Sequence, residues 1–360
     1  MTRLAEASAK RRAADKSMFT PKYTITPELL ANIKKISSLV TQLNSRTYPY
    51  VVLHKFECDA RDLSAHASTS IEGNPLLLTD VKALLKSRPE HIRDAQREVL
   101  NYNNALLWLE KEGRKQKQSA LSHVFIHAIH EIVMDGLPHR GEKGMYRNQP
   151  VFINNPLIGQ TVYWPPDEKD VLPLMNELIA FIQSTQEILD PLILSGLFHK
   201  QFVIIHPYSD GNGRTMRLVT KMLLSSMGLN TFNLFSFENY YNNNVSNYFK
   251  YVGERGNYYE IHQIIDFTPW LIYFTGGIID ELLRVGKELE KEYASPKTEL
   301  SEQKKIILDY IDQHGFITDK IYSTLTKRAK ATRNVDFQKL ISLVMIRKEG
   351  KGKATYYKRV

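Results

Sequence analysis

Apolar residues recur three and four positions apart along most of this 360-residue chain, and one interval breaks that rhythm. Between residues 26 and 45, Leu29, Leu30, Ile33, Ile36, Leu39, Val40 and Leu43 mark the buried face of a helix. The same spacing predicts helices over 51–71, 79–86, 89–112 and 119–133, and again over 167–184, 191–205, 212–227, 238–252 and 269–293. Gly73 followed by Asn74 and Pro75 ends the second of these, because glycine suits the C-cap and proline cannot continue a helix. Between 136 and 166 the period shortens. Val151-Phe152-Ile153 and Thr161-Val162-Tyr163-Trp164 are β-type runs, with Asn154-Asn155-Pro156 and Gly159 supplying turn residues, so a small hairpin is expected among the helices. The fold class is therefore mainly α.

Past residue 300 the pattern changes again. Helices are expected over 303–313, 318–326 and 332–343, then β-type runs over 343–347 and 355–358 around Gly350-Lys351-Gly352-Lys353. Three helices and a basic hairpin are the order of a winged helix-turn-helix. Residues 287–301, charged and then carrying Ser295-Pro296, read as the exposed helix end or linker before it. The expected organisation is a mobile basic N-terminus (1–25), an N-terminal helical region (26–110), a catalytic core (111–294) and a winged-helix domain (295–360).

Charge follows these divisions. The chain carries a formal +9, of which residues 301–360 hold 14 Lys/Arg against 6 Asp/Glu. Lys327, Arg328, Lys330 and Arg333 at the start of the third terminal helix, with Lys351 and Lys353 in the wing, suit phosphate contacts, so DNA is an expected partner class. The single cysteine, Cys58, excludes an internal disulfide and a Cys-based zinc site, which fits a reducing, cytoplasmic setting. The N-terminus has no apolar core of a secretory signal, and the apolar stretch around 270–283 is too short and too interrupted to span a bilayer, so no membrane is expected. Homo-oligomer formation is left open.

Chemistry concentrates in His206-Pro207-Tyr208-Ser209-Asp210-Gly211-Asn212-Gly213-Arg214-Thr215-Met216-Arg217, between two apolar helical runs. A helix starting near Gly211 or Asn212 directs unpaired N–H groups and the positive end of its dipole at the loop before it, which makes an anion site. Gly211 and Gly213 let the backbone approach closely, and Arg214 and Arg217 share a helical face from which both guanidiniums can reach one polyphosphate. Asp210 is placed to hold Mg²⁺ with phosphates and water as its other ligands, and His206 to act as a general base on a hydroxyl.

This stretch resembles the signature of the Fic family, His-x-Phe-x-(Asp/Glu)-Gly-Asn-Gly-Arg-x-x-Arg, with Tyr208 in place of the phenylalanine. The resemblance runs from about residue 50 to 285, taking in Gly144-Met145-Tyr146-Arg147, the hairpin, and Asp266-Phe267-Thr268-Pro269-Trp270. The basic terminal module also resembles the winged helix of multidomain members. The resemblance implies transfer of AMP from ATP to a Ser, Thr or Tyr hydroxyl of a target protein. His206 would take the hydroxyl proton, Asp210 would hold Mg²⁺, and Gly211, Asn212, Gly213 and Arg214 would bind the α- and β-phosphates. Gly213 stands where the phosphotransferring branch has lysine, which favours nucleotide transfer. The hairpin would be a flap, with Val151, Phe152, Ile153 and Asn154 holding the target segment by strand addition. Asn244 to Phe249 resembles a family Asn-Arg-x-x-Tyr-Tyr run with Val245 for arginine and Phe249 for tyrosine; Tyr248 and Phe249 would wall the adenine.

Glu72 lies in the last turn of its helix, where a carboxylate faces the negative end of the dipole and is unfavourable unless a cation meets it. Ser68 to Gly73 resembles the family's inhibitory pattern, (Ser/Thr)-x-x-x-Glu-(Gly/Asn). That implies pairing of Glu72 with Arg217, exclusion of the γ-phosphate, and in some relatives help in removing AMP; Ser68 faces Glu72 one turn earlier. The alternatives are a DNA-binding regulator working through the terminal module, and Fic-type transfer from another donor such as UTP or a choline-bearing nucleotide.

Overall fold

The structure is a computed structural model that describes residues 19–46, 48–87, 89, 91–114, 121–138, 143–154, 159–226, 233–293, 300–343, 345–350 and 352–359. Residues 1–18 of the expected N-terminal segment, Asn155 and Pro156 of the hairpin turn, Ser295-Pro296 and Lys351 lie outside this set, as does the Lys353 side chain. The chain forms two compact units. One takes in the chain up to Leu43 with Ala60–Leu283, and the other joins Asn44–Asp59 to the chain from Arg284 onward.

In the first unit, residues just before the first helix join the fold: the Phe267 N–H donates to the Lys22 carbonyl at 2.8 Å, beside a parallel bridge between Lys22 and Asp266. Helix α1 (Pro27–Asn44) is capped by Thr26, whose Oγ1 accepts from the Leu29 N–H. Helices α2 (Tyr50–Ile71), α3 (Leu78–Ser87), α4 (Asp94–Arg114) and α5 (His123–Val133) follow. Helix α4 starts later than the spacing predicts, because Arg93 turns its N–H to the Gln96 side chain ahead of the helical run. Helices α6 (Glu168–Thr185), α7 (Pro191–Ile205) and α8 (Asn212–Ser226) come next.

Helix α7 is buried almost all round, which its apolar sequence requires. Pro191 opens it and Asp190 caps it. At Gly196 an added Cβ would sit 2.6 Å from Leu271 on α12 (Thr268–Tyr293), and the Trp270 indole donates to the Gly196 carbonyl at 2.8 Å, so glycine permits this close crossing.

The expected helix over 238–252 is two helices, α9 (Phe237–Asn243) and α10 (Val245–Val252), broken at Asn244, whose backbone leaves the helical region. The hairpin pairs β1 (Ile153–Asn154) with β2 (Thr161–Trp164), Ile153 opposite Tyr163 and Asn154 opposite Thr161 with a bulge between. It has a partner that the sequence reading did not anticipate. Strand β3 (Gly256–Asn257) adds in parallel to β2, followed by the short helix α11 (Tyr258–Ile261), so β2 is the middle strand and β1 an edge.

In the second unit, α13 (Glu302–His314), α14 (Asp319–Leu325) and α15 (Lys330–Ser342) precede strands β4 (Ile346–Glu349) and β5 (Tyr356–Arg359), which pair antiparallel. Ile317, between the first two helices, bridges to Tyr357 of β5. The module has its own core, with Ile307, Ile311, Tyr322, Phe337, Leu340 and Met345 among its buried members. Strand β4 starts three residues after the expected β-type run, because Met345 still packs into this core before the chain straightens, and β5 lies one residue beyond its own.

Candidate active site

The loop between α7 and α8 is held by its carbonyl groups. His206 ends α7 in the left-handed region at φ 52°, ψ 61°, a conformation that costs a β-carbon-bearing residue about 1–2 kcal/mol and persists only when neighbours enforce it. Arg147 enforces it. Its Nε donates to the His206 carbonyl at 2.8 Å, its backbone N–H to the Pro207 carbonyl at 2.9 Å, and NH2 to the Pro166 carbonyl. Asn212 then pins Tyr208 from both sides, its Nδ2 donating to the Tyr208 carbonyl at 2.7 Å and its Oδ1 accepting the Tyr208 N–H at 2.8 Å.

His130 completes the set. The Gly144 N–H donates to its Nδ1 at 2.9 Å, which leaves Nε2 as the protonated nitrogen donating to the Asp210 carbonyl at 3.1 Å. Burial pushes its pKa down to about 4, in keeping with this neutral tautomer. The ring stacks on Tyr208 at 3.7 Å and 5°. The Tyr208 hydroxyl, the atom that separates this loop from the family pattern, meets Nδ1 of His127 at 2.8 Å. His123, His127 and His130 line one face of α5, and that spacing was a signal the sequence reading passed over.

With its carbonyls tethered behind, the loop turns into α8 through Gly211 at φ 72°, where a Cβ would meet Met134 and His130. The N–H end of α8 carries Arg214 and Arg217, both buried. Arg214 NH2 meets Asp210 Oδ1 at 3.1 Å and NH1 lies 3.3 Å from Glu98 Oε1, yet buried Nε and NH1 make no hydrogen bond among the described residues. Buried donors in that state are ones that an anion could satisfy.

Arg217 is satisfied, and by the helix the sequence pointed to. Its Nε donates to Ser68 Oγ at 2.8 Å, and NH2 donates to the Ser68 carbonyl at 2.9 Å and to Glu72 Oε1 at 2.7 Å. Burial works against its charge, but Glu72 outweighs it and the Arg217 pKa is raised. Glu72 sits just past α2, before Gly73 at φ 94°. A Cβ on Gly213 would lie 2.1 Å from Glu72 Oε1, so the bare backbone there makes room for the contact.

Two further groups back this pair: Tyr248, which the sequence reading placed elsewhere, and Glu238, which it did not single out. Tyr248, expected against adenine, is buried and stacks on Tyr241; its hydroxyl lies 3.4 Å from Arg217 NH1 and 3.2 Å from His199 Nε2. Phe249, beside it, is 49% exposed. One turn before Ser68, Ser64 donates to Glu238 Oε2 at 3.1 Å, and this fully buried carboxylate also accepts from Tyr102 at 3.0 Å and Ser236 at 2.8 Å.

Burial, and then the charge of Arg147, push His206 down to about 4, so its imidazole is neutral near pH 7 and able to accept a proton. The flap is joined to this end of α7: Tyr163 of β2 donates its hydroxyl to the Ile204 carbonyl, two residues before His206. Phe152 and Trp164 on the flap are exposed. Asp210 is half exposed, and no group of three or more His, Cys, Asp or Glu able to hold a metal occurs among the described residues. That donor set fits a cation held by one carboxylate with phosphate oxygens and water.

Residues 120–224 match the Fic/DOC family. Over 165 residues the chain is 32% identical to the protein adenylyltransferase Fic of Nematostella vectensis, covering 45% of this chain and 36% of that protein. Over 227 residues it is 26% identical to the protein of the same name from Aedes aegypti, covering 57% of this chain and 44% of that one. The chain thus spans less than half the length of these relatives. Its fold matches the crystal structure of a Fic family protein from Desulfovibrio desulfuricans G20, with TM-score 0.63 at 21% identity over 95% of this chain and 98% of that one. It also matches Fic-1 (residues 134–508) from C. elegans, with TM-score 0.58 at 19% identity over 73% of each chain. No helix among the described residues is long and apolar enough to cross a membrane.

Proposed function

We propose that this chain transfers AMP from ATP to a Ser, Thr or Tyr hydroxyl of a protein and is held off by its own Glu72. The observation that carries the reading is the Arg217–Glu72 contact at 2.7 Å, made at the N–H end of α8 where Arg214 keeps unused donors. A carboxylate there occupies the charge and the space that a terminal phosphate needs.

In the forward reaction the substrate hydroxyl oxygen bonds to the α-phosphorus as its proton passes to the His206 imidazole. The bond from the α-phosphorus to the bridging oxygen breaks and pyrophosphate leaves with that oxygen. The α8 N–H groups at Gly211, Asn212 and Gly213, with Arg214, stabilise the charge spread over the phosphate oxygens. Asp210 would hold Mg²⁺, which when bound supplies charge neutralisation on the phosphates. Phe249, exposed beside buried Tyr248, walls the adenine, while Tyr248 supports Arg217 from behind. The edge of β1, from Val151 to Asn154, receives the target backbone beside His206 by strand addition. Removal of AMP from a modified protein, with Glu72 orienting the attacking water, is a second activity the same geometry supports.

The test is incorporation of labelled nucleotide. Glu72→Gly raises AMP labelling of the protein itself or of a target in lysate, and the added His206→Ala change abolishes it. Equal background labelling in wild type, Glu72→Gly and Glu72→Gly/His206→Ala would sink the reading. Labelling by UTP but not ATP moves the donor and leaves the transfer chemistry in place.

A further inference from the structure

The C-terminal module carries most of the chain's excess positive charge, but its arginines are committed internally. Arg328 NH1 contacts both oxygens of buried Asp336, at 2.9 and 3.0 Å, where Tyr322 also donates at 2.9 Å. Arg333 grips Asp319 with Nε at 2.8 Å and NH2 at 2.9 Å, and donates from NH1 to the Arg328 carbonyl at 2.9 Å. Arg359 meets Asp312, and Arg347 meets Glu349. These pairs neutralise four of the module's six acidic residues and fix the turn between α14 and α15. Arg328 and Arg333, which the sequence placed on phosphates, are therefore structural.

What remains outward is a different set. Helix α15 turns Arg333, Asp336, Phe337 and Leu340 inward, and on the opposite stripe, at spacings of three and four, Ala331, Asn334, Val335 and Gln338 are exposed. Its only acidic residue is buried Asp336, so the outward face has no negative charge. Lys330 and Lys339 flank the stripe on α15; Lys327 lies just before the helix and Lys348 on β4, all exposed. Val335, 65% exposed, is the one large apolar side chain on the stripe. A protein-docking helix needs a broader apolar anchor than a valine and an alanine. Two short amides four residues apart, small apolar neighbours and flanking lysines instead complement base edges and phosphates.

We propose that the module is a winged helix that binds duplex DNA, with Asn334 and Gln338 of α15 reading base edges in the major groove and Lys327, Lys330, Lys339 and Lys348 contacting phosphates. Carboxamides at these positions fit bidentate pairing with adenine, and Val335 fits contact with a thymine methyl. This binding is independent of AMP transfer.

The experiment uses the full chain. Duplexes are selected from a random-sequence library, and affinity for a selected and a scrambled duplex is measured by fluorescence anisotropy between about 50 and 200 mM salt. Four phosphate contacts give a slope of log affinity against log salt of about −3 to −4. Lys330→Ala weakens both duplexes alike and reduces the slope by about 1, whereas Asn334→Ala and Gln338→Ala each lower the preference for the selected duplex by roughly 5- to 150-fold. These positions are exposed, so the variants keep the wild-type unfolding temperature. Three results overturn the proposal: no duplex retained at the lowest salt; equal affinity for selected and scrambled duplexes that Asn334→Ala and Gln338→Ala leave unchanged; or no duplex binding with a protein captured from lysate and lost on Val335→Asp.

Discussion

Two pairs of arginines look alike as sequence and differ in the folded chain. Arg214 and Arg217 open α8; Arg328 and Arg333 flank the start of α15. In the module Arg328 and Arg333 make close, directed carboxylate contacts, and these arginines close the core they sit on. At α8, Arg214 keeps buried donors without hydrogen bonds, and Arg217 is satisfied by a Glu72 side chain that is itself 32% exposed. Only a basic helix start with donors left over after folding can serve an anion, and on the proposed reading the one at α8 is regulated by the carboxylate that occupies Arg217.

The comparison is broken most directly at the base. In a Glu72→Gly background, His206→Ala should lower AMP labelling by at least about 100-fold, with labelled ATP and gel readout, because on the proposed reading His206 is the group that takes the hydroxyl proton. Arg214→Met should cut labelling by about as much, since on the proposed reading its two buried donors without hydrogen bonds serve the phosphates, and should lower the unfolding temperature only through its contacts to Asp210 and Glu98. Arg328→Met should do the reverse. It takes the guanidinium from buried Asp336, which keeps only Tyr322 and the longer Lys304 contact, costs the module about 1–2 kcal/mol after allowing for the partly exposed guanidinium, and leaves labelling unchanged; calorimetry of the full chain reads the difference.

His130→Phe sharpens the picture further. The ring stack on Tyr208 survives, but the Asp210 carbonyl loses its donor and the Gly144 N–H its acceptor, so labelling in the Glu72→Gly background should fall about tenfold and stability by about 1–3 kcal/mol. An equal fall in His130→Phe and His130→Gln would assign the effect to packing rather than to the donated hydrogen bond.

The smallest effect expected is that of pH. With His206 pushed down to about 4, labelling should stay nearly flat from pH 7 to about 5 and fall as the base protonates near 4. Stability moves earlier. The unfolded chain binds protons on His130 and His206 near the ordinary histidine value while the folded chain refuses them, so stability declines as pH falls from about 6.5 towards about 4. A fall in labelling between pH 7 and 6 would contradict the first statement, and an unfolding temperature unchanged between about pH 6.5 and about 4 the second.

The local part of this site was legible from sequence. His206 to Arg217 is one turn and one helix start, and Glu72 before Gly73 announces a carboxylate needing a cation. What was not legible depends on contacts between distant segments. Glu238 accepts from Ser64 across 174 residues, Tyr208 meets His127 across 81, and Tyr248 turns its hydroxyl inward to His199 rather than to a nucleotide. The third strand was missed because two residues of Gly256-Asn257 carry no period, and the break at Asn244 because a helical rhythm can continue across a residue whose backbone does not. In the terminal module the charge was read correctly and its ownership was not, since pairing of Arg328 and Arg333 with acids requires knowing which faces meet.

The α2 anchorage has a kinetic consequence. Ser64 is tied to buried Glu238 and Lys221 and Ser68 to buried Arg217, so lifting this helix from the core would expose three charged groups and break at least four hydrogen bonds. Such an opening belongs with slow local unfolding, whereas rotation of the half-exposed Glu72 about its own side-chain torsions belongs with fast rotamer exchange. On the proposed reading, the restraint behaves as a rapid competition between a carboxylate and an incoming phosphate, graded by nucleotide concentration, and leaves the protein no memory of having been switched.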